Sequence, residues 1–78
     1  MTTIIDPWIA CAASDPTDAQ WRAMRELSNG HTYCATRFNE RSRWVRAEIT
    51  RPDLSADHYS ISPDGRETRF IKTEGGTL

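Results

Sequence analysis

At Asn29-Gly30 the spacing of apolar residues changes, and that switch divides the chain into a helical part and a β part. Before it, Trp21, Met24 and Leu27 recur at helical spacing beside Ala23, with Asp18 in the favourable first turn and Asn29-Gly30 as the stop. The pattern predicts an amphipathic helix from Pro16 to about Ser28. Asp-Pro occurs at Asp6-Pro7 and at Asp15-Pro16; Asp is a favoured N-cap, and Pro fits the first helical position. A first helix from Pro7 to about Ala13 is therefore also expected. It would span less than two turns and hold only by packing Trp8 and Ile9.

After the switch, β-compatible runs at 31–38 and 43–50 flank the polar turn Asn39-Glu40-Arg41-Ser42. Two more, 58–62 and 67–73, flank Pro63-Asp64-Gly65-Arg66, where Asp-Gly predicts a type I′ turn with positive φ at both central positions. Arg51-Pro52-Asp53 breaks the chain between the hairpins. A four-residue first turn sets Phe38 opposite Arg43, Thr36 opposite Val45, Cys34 opposite Ala47 and Thr32 opposite Ile49 on the more apolar face. Tyr33, Ala35 and Arg37 then point outward against Trp44, Arg46 and Glu48. In the second hairpin Tyr59 and Ile61 share a face with Thr68 and Phe70, leaving Ser60, Ser62, Glu67 and Arg69 outward. The expected core is Trp21, Met24, Leu27, Val45, Ile49, Tyr59, Ile61 and Phe70.

The fold class that follows is α+β: one or two N-terminal helices packed on a small antiparallel sheet of three to four strands, built from two hairpins. It forms a single domain over 1–74 with a flexible tail at 75–78, begun by Gly75-Gly76. The competing reading makes 36–48 helical. Tyr59-Ser60-Ile61-Ser62-Pro63-Asp64-Gly65-Arg66-Glu67 resembles the wing of winged-helix regulators, a strand followed by a Pro-x-Gly-Arg turn. That resemblance covers about nine residues and implies two helices between Gly30 and His58, where the sequence has hairpin periodicity instead.

Seventy-eight residues make one small domain, which buries only about 60–65% of its unfolded surface. A hydrophobic content of 37% with three tryptophans argues against disorder. Nine arginines stand against one lysine, Lys72, and Arg37, Arg41, Arg43, Arg46 and Arg51 fall together in a chain of net charge −1. Guanidinium groups interleaved with Phe38 and Trp44 suit a recognition surface, since the fork donates paired hydrogen bonds and stacks on rings. A sequence pI near 6.1 disfavours a dedicated duplex-DNA binder, whose affinity comes from many phosphate contacts.

His31, Cys34, His58 and Cys11 would make one zinc site by type, but residues three apart on a strand point to opposite faces, so no metal or other cofactor is expected. Both cysteines are expected to be buried small hydrophobes. Asp57, His58 and Ser60 lie too close on one strand to assemble a hydrolytic triad. With no signal peptide or membrane span, the chain reads as cytoplasmic.

The expected function is a non-enzymatic interaction protein that binds a protein or ribonucleoprotein complex stoichiometrically. The site would be Tyr33, Arg37, Arg41, Arg43, Trp44 and Arg46 on and beside the first hairpin. Size and style match small phage or mobile-element inhibitors of a host complex, such as anti-CRISPR proteins. A nucleic-acid-binding module, either winged-helix-like or a single-strand-binding sheet, is the alternative. Self-association through an exposed Trp44 is a third.

Overall fold

The computed structural model describes residues 6–75. The chain forms a short strand β1 (Trp8–Ala10), one helix α1 (Asp18–Ser28), and strands β2 (Thr32–Asn39), β3 (Val45–Thr50), β4 (Ser55–Ile61) and β5 (Thr68–Gly75). The strands pair antiparallel in sequence order, giving a five-stranded meander. The α+β class is as expected, with one helix and five strands among the described residues. The tail expected at 75–78 lies outside them except for Gly75, which closes β5.

The helix begins two residues later than Asp15-Pro16 implied. Asp15 instead closes the preceding turn, its Oδ2 accepting from the Ala12 N–H at 2.8 Å. Thr17 is the N-cap: its hydroxyl accepts from Gln20 N–H and Gln20 Oε1 accepts from Thr17 N–H, a reciprocal capping box. At the other end Asn29 adopts the left-handed conformation (φ 47°), as the stop signal requires. Gln20 is fully buried, and its Nε2 donates to the carbonyls of Arg43 (2.9 Å) and Ile61 (3.2 Å). One side chain thus caps the helix and ties it to the sheet. Ala23 and Met24 then pack on Val45, Ala47 and Ile61, with Trp21, Leu27, Tyr33 and Tyr59 around the margin.

The expected first helix is instead β1. Asp6 Oδ1 accepts from Trp8 N–H at 3.0 Å, a local bond like that of a helix cap. The chain beyond it extends because Ile9 pairs with Phe38 and the Pro7 carbonyl accepts from Glu40 N–H at 2.9 Å. A helix under two turns pays nucleation for few hydrogen bonds, whereas the free edge of β2 offers a ready ladder. Residues 36–48 form strand, loop and strand, so the helical reading of that segment and the winged-helix architecture are excluded.

The first hairpin departs from the expected register. Arg37 opposes Arg46 and Phe38 opposes Val45, while Tyr33 opposes Ile49 and Ala35 opposes Ala47; a bulge at Thr36 absorbs the offset. The loop is longer than four residues because the Asn39 side chain accepts from both Arg41 N–H and Ser42 N–H, and Asn39 N–H bonds to Trp44 O. Tyr33 and Ala35 therefore face the helix, and Cys34 is exposed. The second hairpin keeps its expected register, with Tyr59 opposite Phe70 and Ile61 opposite Thr68. Its turn is not type I′: Gly65 has positive φ (72°), but Asp64 does not. Phe70, expected in the core, is 57% exposed because α1 packs on β2, β3 and the Ile61 end of β4 and leaves β5 uncovered. Among the described residues no helix is long and apolar enough to cross a membrane.

Candidate functional site

Opposed residues in antiparallel strands share a face, so the pairings define rows across the sheet. The row Ile9, Phe38, Val45, Ile61 and Thr68 lies on the helix-covered face. The adjacent row, Ala10, Arg37, Arg46, Ser60 and Arg69, crosses all five strands on the open face. It contains three arginines and no acid. Arg37 and Arg46 are direct cross-strand neighbours, a placement that ordinarily destabilises a sheet. Among the described residues neither has an acidic group within salt-bridge distance.

Two indoles flank this row. Arg46 stacks over Trp8, its guanidinium carbon 4.5 Å from the ring centroid, and Arg69 stacks over Trp44 at 4.8 Å. Trp8 reaches the site because β1 places it opposite Asn39. Trp44 is held by its backbone, its N–H donating to Ser42 Oγ and its carbonyl accepting from Asn39 N–H. Together with Ser42, Ser60 and Ile71 these residues line one shallow open groove, with Phe70 of the covered face at its margin. Arg69 also pairs with Glu67 at 3.0 Å, both side chains exposed.

Beyond the arginine row, Cys34, Glu48, His58 and Lys72 form the next row of the open face. Partial burial, and then the negative charge of Glu48, push the Cys34 thiol above its ordinary pKa, which disfavours the reactive thiolate. His58 Nε2 lies 2.9 Å from Glu74 Oε1 without hydrogen-bond alignment, and Lys72 Nζ lies 3.4 Å from the same oxygen. This part of the face is mixed in sign, so the unopposed positive charge is concentrated at Arg37 and Arg46.

Of the six residues singled out from sequence, Arg37, Trp44 and Arg46 come together on the open face. Arg41 and Arg43 lie in the loop beside it, and Arg43 leans on Phe38 at 5.8 Å, towards the covered side. Tyr33 is excluded from the site: it lies on the opposite face, beside Trp21, Arg22 and Arg25 of α1. Trp8 and Arg69 belong to the site and were missed. Asp57 is buried on the covered face, bound by Arg51 and Thr73, whereas His58 and Ser60 face the other way, so these three do not form a relay. Among the described residues no group of three or more His, Cys, Asp or Glu side chains is placed to hold a metal ion.

The fold and face together define an α+β protein with a one-sided antiparallel meander whose open side is an arginine–tryptophan surface. No family model, curated protein or solved structure matches the chain.

Proposed function

We propose that this protein is a non-enzymatic interaction module that binds an acidic surface of a protein or ribonucleoprotein partner stoichiometrically, through the open face of its sheet. The observation carrying this reading is the direct opposition of Arg37 and Arg46 without an acidic partner, between two indole–guanidinium stacks. Like charges placed side by side cost the free protein stability, and a carboxylate or phosphate bridging both would offset that cost. Ring stacking orients the Arg46 and Arg69 forks, so less of their side-chain freedom is lost on binding. Tryptophan and arginine are the residues most often found at the energetic centre of protein interfaces. Acting as a small inhibitor that occludes a larger complex fits this mode, because occlusion needs a complementary surface and no reaction chemistry.

Binding of single-stranded nucleic acid is a second reading, favoured by one observation: Trp8 and Trp44 share a face with the arginine row, as stacking platforms do. Titrating the protein with oligonucleotides while following indole fluorescence separates the two. Absence of quenching at low salt rejects the nucleic-acid reading, and a steep linear fall of log K with log salt supports it. For the preferred reading, Trp44→Ala and Arg46→Ala should each weaken capture of the partner by about tenfold or more while the protein remains folded. Undiminished capture by both variants overturns the assignment of this face.

A further inference from the structure

The open face leaves one other feature unexplained, the edge strand β5. All eight of its residues are exposed, including Phe70 at 57% and Ile71 at 42%, and among the described residues β4 is its sole neighbour in the sheet. A bare edge of this length is a template for another strand. We propose that β5 pairs antiparallel with β5 of a second copy of this chain, about a two-fold axis between Ile71 and Lys72, joining two meanders into one continuous sheet.

The sequence of the strand selects both occupant and register. Opposed residues must point to the same face, and the bulge at Ile71 changes the parity along β5. Before it, Phe70 lies on the covered face opposite Tyr59 and Arg69 on the open face opposite Ser60. After it, Thr73 lies on the covered face opposite Asp57 and Glu74 on the open face opposite Ala56. Self-pairing about the proposed axis sets Arg69 against the second copy's Glu74 and Phe70 against its Thr73, each twice by symmetry. Every one of these pairs is face-consistent. The neighbouring face-consistent register would set Arg69 against Lys72 and Glu67 against Glu74, two like-charge oppositions that disfavour it. The charges of this edge therefore complement a second copy in one register and reject the next.

Forming the pairs displaces little. Arg69, which also stacks on Trp44, exchanges an exposed contact with Glu67. Glu74 exchanges one with Lys72 and one with His58 Nε2 that lacks hydrogen-bond alignment; exposed ion pairs of this kind are weak. At the axis the aliphatic stem of each Lys72 covers the other copy's Ile71. A single strand pair is smaller than a standard interface, so the association is concentration-dependent and readily reversible. It also sets two arginine–tryptophan faces side by side on one sheet surface. Arg69 also belongs to the candidate site, but dimerisation is read from the mass of the chain rather than from partner binding, so it stands or falls apart from the proposed function.

Sedimentation equilibrium of the full chain between about 10 μM and about 1 mM tests it, since weak interfaces dissociate in that range. The wild type is expected to follow a monomer–dimer equilibrium. Arg69→Glu alone and Glu74→Arg alone should each weaken dimerisation by about tenfold, because each turns two attractive oppositions repulsive. The double variant Arg69→Glu/Glu74→Arg should recover it, and circular dichroism confirms that all three remain folded. A mass that stays monomeric throughout overturns the proposal. So does a dimer unaffected by either single reversal, or a double variant that fails to recover.

Discussion

Leu54 adopts a left-handed backbone conformation (φ 71°) in the turn between β3 and β4, and its side chain is 71% exposed. The turn imposes this, since Leu54 N–H bonds to Arg51 O and Arg51 N–H to Ser55 O, both at 2.9 Å. A branched side chain there carries strain of about 1–2 kcal/mol, and no packing offsets it. Leu54→Gly should therefore stabilise the protein by about 0.5–1 kcal/mol, after the greater freedom of glycine in the unfolded chain is subtracted. Urea unfolding would register it as a higher midpoint at unchanged slope. Three aspartates act in the other direction. The Thr73 hydroxyl, and then Arg51, hold the Asp57 carboxyl below its usual pKa against the effect of desolvation. Hydrogen bonds from Ser55 do the same for Asp53, and those from Ser62 and Arg66 N–H for Asp64. A carboxyl whose folded pKa is depressed contributes stability above its unfolded pKa and loses it as pH falls through the folded value. The contribution of these three carboxyls to the unfolding free energy should thus be constant near neutrality and fall below about pH 4. Asp57→Asn should shallow that acid limb in urea melts taken at successive pH values, and an unchanged limb would exclude Asp57 as a contributor.

Element against element, the turn between β4 and β5 docks on the start of α1. Thr17 Oγ1 donates to the Pro63 carbonyl at 2.7 Å, and a Cβ at Gly65 would lie 2.6 Å from the Ala19 carbonyl oxygen. Gly65→Ala meets helix backbone and a positive φ at once, so it should destabilise by about 2–3 kcal/mol in chemical denaturation. A loss below about 0.5 kcal/mol would show that the turn can leave the helix freely. This docking also explains what the sequence made legible. The second hairpin kept its expected register because Asp64-Gly65 fixes a short loop whose parity is the same for two or four residues. Helix α1 was legible from Trp21, Met24, Leu27 and Asn29-Gly30. The first hairpin was not, because the Thr36 bulge and the Asn39 side-chain bonds shift the register without a sequence signal of their own. Strand β3 was nevertheless assigned its correct faces, and Arg37 lies past the bulge in β2, which is why Arg37, Trp44 and Arg46 were found although Tyr33, before the bulge, was misplaced. Trp8 was hidden by a helix-cap signal at Asp6-Pro7 that tertiary pairing overrides. Arg69 had been placed outward with Ser60; only the packing of the second hairpin beside the first brings it to Trp44.

At the scale of the whole molecule, one eleven-residue helix covers part of a five-stranded sheet, and the uncovered side carries the arginine row. A sheet optimised for stability alone would set opposite charges or threonines at adjacent exposed positions. On the proposed function, placing Arg37 against Arg46 trades folding stability for anion binding, so the two properties should move in opposite directions on substitution. Arg37→Thr relieves the repulsion, suits a strand, and should stabilise the free protein by about 0.5 kcal/mol, raising Tm by about 2–4 °C. The same change should weaken partner binding. Salt supplies a control: the Debye length falls to about 10 Å at 0.1 M, so added sodium chloride should raise the wild-type Tm more than that of Arg37→Thr. Parallel thermal melts at low and high salt measure the difference directly. If Arg37→Thr melts lower than wild type at every salt concentration, Arg37 stabilises the sheet, and the opposed arginines no longer argue for an absent anion.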